Sequence, residues 1–341
     1  MKEYRRKKIV LIKWFFGEPR TGGDKVFQEI FRALKESDNF QVTMIEPFFK
    51  VTQGSPYAIR FIKFAIFRLY SNLLAQFLIK KGVIVYTGSN AGNFQYQQPP
   101  SIGKNKDKFN AISSIFNLVI KVIDNLSIFN RKSIILAIYN SKFTMLKYRI
   151  ADAKFHIVIY PGLLPEIPKV IFNEKEDIII TISRIDPDKS LENLLEIIPN
   201  GDENHYIIGY LADKQYAEFL QKNLKNSHFI FNATDKQRND LLRRAKILIH
   251  PAMYEAAGIV FMEAMSYGVI PIAHNSGGAP EIVPKQYLYD SLAEAREKIK
   301  KYLSEYNETH FNELRREASR FLISKFHESI ESAFTECFIK N

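Results

Sequence analysis

Apolar residues along this chain fall in short runs separated by longer amphipathic stretches and by loops. KIVLIKWFF (8–16) reads as a buried strand, followed by a loop holding Gly22-Gly23 and a helix over about 24–36. QVTMIE (41–46), VIVYT (83–87), ILAIYN (135–140) and HIVIY (156–160) are the later strands of the first half. Tyr160-Pro161-Gly162, with Pro165 and Pro168 close behind, breaks the periodicity and reads as a linker. The alternation then restarts. Strands are expected at 177–183, 205–210, 228–231, 246–251 and 269–274, with helices near 189–198, 213–224, 235–244 and 258–267. The stretch from about 291 to 338 is helical and charged. Strand–helix–strand repetition at this spacing gives parallel sheets covered on both faces. The expected architecture is α/β, with two Rossmann-like parallel-sheet domains facing across a cleft. Their bounds are 1–162 and 163–310, and 311–341 is a helix returning toward the first domain.

Length and composition fit that picture. At 341 residues, 46% hydrophobic and 25% charged, the chain suits two globular α/β domains. Cys337 is the only cysteine, which excludes an internal disulfide and any cysteine-cluster metal site. A reduced, cytoplasmic location is expected from that count. The N-terminal MKEYRRKKIVLIKWFF resembles the start of a signal peptide, but Lys13 interrupts the apolar run and no small-residue cleavage site follows, so it reads as a first strand. No apolar stretch reaches the ~18 residues that a spanning helix requires.

Charge is unevenly divided. Residues 1–160 carry 26 Lys/Arg against 10 Asp/Glu, a balance of +16; residues 161–341 carry 22 against 27, a balance of −5, and the two give the net +11. A basic half meets an anionic partner. No zinc finger, helix-turn-helix or RNP-like pattern accompanies it, so nucleic acid is not the expected partner. An anionic membrane surface or a phosphate-bearing acceptor explains the charge equally well. The basic aromatic segment 55–82 suits a long amphipathic helix, and Arg60, Lys63, Arg68, Lys80 and Lys81 interrupt it too often for spanning. It fits either a helix lying in a membrane interface with its cations toward headgroups or a domain helix with a solvated basic face.

The segment HPAMYEAAGIVFMEAMSYGVIPIAHNSGGAPEIV (250–283) carries the chemistry. It reads as strand, loop, helix, strand, Gly-rich loop. Glu255 lies in the loop before the helix and Gly258 at the helix start. The first N–H groups, of about Gly258 to Val260, then point out of the carboxyl edge of the sheet, a site suited to a diphosphate. Glu263 sits within the apolar GIVFMEAM, where a carboxylate is costly unless a ligand or partner receives it. Gly277-Gly278 are expected to let backbone approach the ligand.

These residues resemble glycosyltransferase family 4. The pattern E-x7-E, then A-M-x-x-G-x-x-P-I and G-G-x-P-E, is similar to that family's signature. RTGGDKVFQEIFRAL (20–34), NSKFT (140–144), VIYPG (158–162) and TISRIDPDKSLENLL (181–195) resemble its other elements in order and spacing, with Ser183 and Ser190 where two glycines are usual. QYQQPPSI (95–102), SIFNLVIKVIDNLSIF (114–129) and AHNSGG (273–278) resemble, more narrowly, the α-1,2-mannosyltransferases that extend lipid-linked oligosaccharides. The resemblance implies a GT-B fold and a retaining hexosyltransferase, with a nucleotide sugar as donor (GDP-mannose in the narrower case) and a glycan or lipid-linked acceptor. It implies no cofactor and no metal.

Residue by residue, the resemblance puts Arg184 and Lys189 on the donor diphosphate, Glu255 on the transferred sugar and Glu263 on the ribose. Ser183, Ala257, Gly258, Ile259 and Val260 would line the donor, and Gly22 and Gly23 would let the N-domain loop close over the phosphates. Relatives commonly place an N-domain histidine beside the sugar, yet residues 1–155 contain none. Gln97 and Gln98 are the nearest polar candidates there, able to hydrogen-bond a hydroxyl but not to carry a proton. His274 is a further candidate at the acceptor side, and His250 stands at the end of its strand in the same way. Three other classes remain open: a transferase with a UDP-sugar donor and soluble acceptor, a phosphorylase or epimerase, and a non-catalytic sugar-nucleotide or membrane-binding protein.

Overall fold

The computed structural model describes residues 6–13, 22–46, 57–86, 94–97, 122, 134–199 and 201–340. In the first half, β1 (Lys7–Ile12) pairs in parallel with β2 (Phe40–Ile45) on one side and β3 (Ile84–Tyr86) on the other. A second parallel sheet follows in the order β4 (Phe94–Gln97), β5 (Leu136–Tyr139), β6 (Phe155–Val158). The rings of Tyr86 and Phe94 stack 4.9 Å apart, so the two sheets share one core with Ile9, Leu11, Leu136 and Ile138. Helix α1 (Gly22–Glu36) covers this core with Val26, Phe27, Ile30, Ala33 and Leu34, one face of a 3.6-residue period. Gly22 and Gly23 lie in the first turn of α1 with Asp24 rather than in a free loop, a start favoured by the acid at the positive helix end. Helices α2 (Tyr57–Lys80) and α3 (Lys142–Lys147) complete this half. Residues 14–16 of the expected first strand and, apart from Val122, the apolar stretch 114–129 lie outside the described residues.

The second half is built on a six-stranded, fully parallel sheet of β7 (Glu176–Ile182), β8 (His205–Gly209), β9 (His228–Phe231), β10 (Ala245–His250), β11 (Ile270–His274) and β12 (Leu288–Tyr289). Their spatial order is β12-β11-β10-β7-β8-β9. The chain winds outward from β7 to β9, returns to the other side of β7 as β10, and winds outward again. That reversal opens a crevice between the carboxyl ends of β7 and β10, where doubly wound sheets take their ligands. Ile178 to Ile180, Ile207, Ile208 and Ile247 to Ile249 are all buried, as strands covered on both faces require. Crossovers run through α4 (Leu194–Ile197), α5 (Lys214–Asn223), α6 (Asp235–Arg244), α7 (Ile259–Ser266) and α8 (Ala279–Ile282). The helix expected over 189–198 is broken. Two 3-10 turns, Pro187–Lys189 and Leu191–Asn193, flank Ser190, whose φ of 49° interrupts any continuous helix before α4.

After α9 (Leu292–Glu305), α10 (Glu308–Ala318) still packs on α7 of the second half, whereas α11 (Ile323–Thr335) packs on α1 of the first. The crossing thus lies at Phe321–Ile323, later than the boundary expected at 311. There Ile323 N–H donates to Leu164 O at 2.8 Å, so the returning chain runs beside the outgoing linker. A side chain on Gly162 would meet Phe326 Cβ at 2.7 Å, which explains the glycine in the linker. Ser37 donates to Glu331 at 2.6 Å and His327 lies 3.0 Å from Glu29, joining α11 to the first half.

A carboxylate also ties the halves. Glu281, on α8, accepts the Lys142 and Phe143 N–H groups at 2.8 Å each, capping α3, and accepts the Tyr160 hydroxyl at 2.7 Å. Burial and this carboxylate push the Tyr160 phenol well above its usual range. Glu281→Ala should lower the denaturation midpoint by a loss of about 1–3 kcal/mol, while Glu281→Gln, keeping one acceptor oxygen, should lose less. Equal losses in the two variants would show that side-chain volume, not the shared acceptor, holds the halves.

The core of the six-stranded sheet carries a titratable staple. His205 is fully buried, its Nε2 2.9 Å from Thr181 Oγ1 and its Nδ1 3.0 Å from Ser227 Oγ. Burial lowers its pKa from 6.5 to about 3. Between those values the unfolded chain binds the proton and the folded chain does not, so the stabilisation is complete above 6.5 and is lost as pH falls toward 3. Melting midpoints should therefore fall from about pH 7 to about pH 5, and His205→Gln should flatten that slope. An unchanged slope in the variant would assign the loss to other groups.

Candidate active site

The two loops that part at the β7/β10 crevice bring the predicted residues of the second half together. From β7 the chain passes through Ser183, Arg184 and the turn at Pro187–Lys189; from β10 it passes through the 251–258 loop into α7. Lys189 Nζ donates to Glu255 Oε2 at 2.7 Å, with both side chains about four-fifths buried. His250, at the end of β10 and 3% exposed, holds Nε2 3.5 Å from the same oxygen, and its ring meets Phe261 edge-on at 5.1 Å. Neither ring nitrogen of His250 has a closer partner among the described residues. Burial alone would raise the Glu255 pKa, but the Lys189 charge and the facing His250 outweigh it and hold the carboxylate far below its ordinary range. Glu255 is thus an ionised acceptor, able to receive hydroxyl hydrogens and unable to donate one.

Arg184 stands apart from that pair. Its Nε lies 3.2 Å from Asp186 and its Nη2 3.8 Å from Asp188, two acids of its own loop that the sequence reading had passed over. Asp186 also accepts the Asp188 N–H at 2.9 Å, which shapes the turn. Ser190 follows in the left-handed region, which costs a non-glycine residue about 1–2 kcal/mol. Ser183 Oγ is buried with no partner among the described residues, and its carbonyl faces Gly209, where a Cβ would come within 1.6 Å.

Gly258 caps α7 with φ 59°, and an added Cβ would strike the Phe261 ring at 2.3 Å. Ala257 is buried, Ile259 and Val260 are partly so, and the first N–H groups of α7 face the crevice without an intrahelical carbonyl to reach. Glu263, one turn on, is paired. Arg238 from α6 donates to Glu263 Oε1 through Nη2 at 2.8 Å. Sequence reasoning missed Arg238 because it lies within DKQRNDLLRR, where its charge looks like part of a solvated face.

The Gly277-Gly278 pair serves protein packing. A Cβ on Gly277 would meet Glu255 O at 2.4 Å and one on Gly278 would meet Ala256 O at 2.0 Å, so the glycines admit the Glu255 loop rather than a ligand. Gly278 N–H donates to Glu255 O at 2.7 Å, fixing that loop from behind. His274 belongs to the same support. Its Nδ1 lies 2.9 Å from Ser276 Oγ, which accepts the Tyr254 N–H. Tyr254 holds φ 57°, an unusual value for a bulky residue, and stacks on Phe143 of α3 with Lys147 5.4 Å above its ring. Gln97 is the last residue of β4, with only its backbone described, and Gln98 lies outside the described residues. Gly22 and Gly23 are helical, as noted, and no described contact brings them to the Glu255 loop. Among the described residues no group of three His, Cys, Asp or Glu is placed to hold a metal ion.

Residues 165–319 match the family model described as "Glycosyl transferases group 1". A sulfoquinovosyl transferase of Arabidopsis thaliana is 30% identical over 115 residues, 33% of this chain and 22% of that protein. A phosphatidylinositol N-acetylglucosaminyltransferase subunit of Saccharomyces cerevisiae is 24% identical over 117 residues, 32% of this chain and 26% of that protein. The matches thus span about a quarter of each relative's length. Among solved structures, a sucrose-phosphate synthase of Thermosynechococcus elongatus superposes with TM-score 0.71 at 16% identity, covering 98% of this chain and 100% of that one. Anabaena HepE in complex with UDP and glucose gives TM-score 0.65 at 15% identity over 97% of this chain and 100% of its own. The chain therefore has the GT-B fold, and its residues 165–319 are similar to glycosyl transferases group 1.

Proposed function

We propose that this chain is a retaining glycosyltransferase that moves a hexose from a nucleotide sugar to a glycan or lipid-linked acceptor. The observation that carries the reading is the buried Lys189–Glu255 pair at the mouth of the β7/β10 crevice, beside the α7 N-terminus. In the proposed complex the donor diphosphate lies against the first turn of α7, with Arg184 and Lys189 on its oxygens. Glu255 accepts hydroxyls of the transferred sugar and Glu263, held by Arg238, accepts those of the ribose. The acceptor oxygen attacks the anomeric carbon on the face the diphosphate leaves, the carbon–phosphate-oxygen bond breaks, and the leaving phosphate takes the acceptor proton. No protein base is needed on that route, which accommodates a first half without a histidine before residue 156. The arginine and lysine supply the charge stabilisation, so the reaction is proposed to proceed without a metal or cofactor.

The relatives named above bear lipid- and sugar-related titles, and HepE was solved with UDP and glucose. A lipid-linked acceptor and a hexose donor follow that lead. GDP-mannose, suggested by the 95–102 and 273–278 segments, is proposed as one donor to test beside UDP- and ADP-hexoses. A single cysteine, buried, supports a reducing, cytoplasmic location for the proposed enzyme. No helix among the described residues is long and apolar enough to cross a membrane.

The decisive experiment is a thermal-shift panel of nucleotide sugars, followed by product analysis with donor alone and with lipid or glycan acceptor, each repeated in EDTA. Transfer that needs an acceptor, and persists in EDTA, supports the proposal. Sugar release without an acceptor would instead indicate a phosphorylase or epimerase, and binding without turnover a non-catalytic protein.

Two sets of variants follow from the roles assigned. Arg184→Ala should lower kcat by about 10²–10³ with little change in KM, since its contact strengthens as the diphosphate takes on charge. Lys189→Ala should do the same and also destabilise the fold, because it leaves Glu255 buried without its cation. Full activity in either variant would refute the assignment. Glu263→Ala should weaken nucleotide binding by roughly 1.5–3 kcal/mol. Arg238→Ala should weaken it too, with partial recovery in Arg238→Lys. Unaltered affinity in Arg238→Ala would show that Glu263 needs no partner to hold its orientation.

A further inference from the structure

Helix α2 is apolar on both sides. Its packed face sets Phe67, Leu74, Ala75, Leu78 and Ile79 against Ile12 and Val85, with Ser71 and Asn72 also buried. Its solvent face holds Ile62, Ile66, Leu69, Tyr70, Leu73 and Phe77, each between 39% and 59% exposed. At about 100° per residue these six fall within an arc of about 100°, one continuous stripe four turns long. Lys63 and Lys81 lie along one edge of that arc and Lys80 at its C-terminal end. Lys81 reaches back over the Phe77 ring at 4.3 Å, its stem covering apolar surface while its charge stays outside. Arg68, expected on the exposed basic face, belongs by the same count to the buried side, and the Arg60 side chain lies outside the described atoms. The solvent side of α2 therefore carries an apolar stripe with exposed Lys80 and Lys81 at its end.

From this we propose that α2 is an in-plane membrane anchor, its stripe sunk into the interface of an anionic bilayer. Three observations favour that occupant. Large exposed apolar stripes mark interaction surfaces and not ordinary solvent faces. The surrounding sequence contains no acid from Pro47 to Lys106, sixty residues that carry eight Lys/Arg. A second copy of the chain pressed face to face would set those cations against one another. Nucleic acid would answer the charge but offers nothing to six large apolar side chains. An anionic lipid surface answers both, with headgroups for the lysines and acyl chains for the stripe. The inference rests on the proposed transferase only in naming where its acceptor is met.

Co-sedimentation with vesicles tests it directly. Wild-type protein should pellet with phosphatidylglycerol/phosphatidylcholine vesicles at low salt, far less with pure phosphatidylcholine, and be partly released at high salt. The triple variant Ile66→Ser, Leu73→Ser, Phe77→Ser should bind the anionic vesicles at least about tenfold more weakly, since each loses buried apolar surface. Lys80→Glu with Lys81→Glu should lose the preference for anionic lipid. All variants are first checked for unchanged circular dichroism and nucleotide thermal shift without vesicles, which keeps a failure of donor binding separate from a failure of docking. As a second measurement, an environment-sensitive dye on Leu73→Cys should shift to the blue on anionic vesicles. No pelleting at low salt, or pelleting unaltered in the serine variant, overturns the proposal. So does a concentration-dependent dimer that the serine variant abolishes, which would give the stripe to a second copy.

Discussion

The site depends on keeping one carboxylate charged where water is scarce. Glu255 lies at the rim of a sheet whose strands are buried on both faces, and desolvation there works against ionisation. Lys189 reverses the balance at 2.7 Å, and it can do so only because the chain re-enters the sheet beside β7. Were β10 placed at the outer edge, next to β9, the loops carrying Lys189 and Glu255 would stand two strands further apart. The doubly wound order and the ion pair are thus one constraint seen at two scales: topology brings the loops together, and the pair makes their closeness tolerable.

Around that pair the backbone is tightly specified. Gly277 and Gly278 let the loop after β11 press on the carbonyls of Glu255 and Ala256, and Gly258 turns the chain into α7 through a left-handed residue. Ser190 and Tyr254 hold left-handed conformations without glycine's freedom, on the two loops that meet at the crevice. Strain of this kind persists only when neighbours over-determine it. For Tyr254 the neighbours are visible: Ser276 takes its N–H, and Phe143 and Lys147 from the first half pack on its ring. The loop that carries Glu255 is therefore braced against both halves of the molecule at once.

Much of this was legible in the chain. The limits expected for β9, 228–231, and α6, 235–244, are those observed, and in the structure α6 opens with Thr234 and Gln237 in a capping box. The parallel strands were legible as apolar runs, and Glu255, Gly258 and Glu263 from their place between them. What failed depended on contacts distant in sequence or on sidedness. The FQYQ of β4 alternates as a strand does, but four residues are too short a run to stand out until β5 is beside it. Arg238 meets Glu263 across 25 positions and looks like any charge on a hydrophilic helix. Gly277-Gly278 looked like a ligand loop because sequence cannot show that another backbone fills the space. In α2, periodicity revealed a stripe but not which side the domain would cover.

The charges of the crevice are already paired within the protein, and this shapes how a donor could bind. Arg184 sits among Asp186 and Asp188, and Lys189 sits on Glu255, two cations facing three carboxylates in a half whose balance is −5. An incoming diphosphate cannot simply add to vacant positive charge; it must draw cations from acids that need them. For Glu255 that exchange is costly, since a buried carboxylate stripped of its lysine has lost what kept it ionised. In the proposed complex the transferred sugar supplies the remedy, because its hydroxyls donate to Glu255 as Lys189 turns to the phosphate. Inorganic phosphate or a bare nucleoside diphosphate offers no such replacement. On the proposed reading the pairing favours the intact nucleotide sugar over its leaving group, a preference built from the exchange of partners rather than from the number of positive charges.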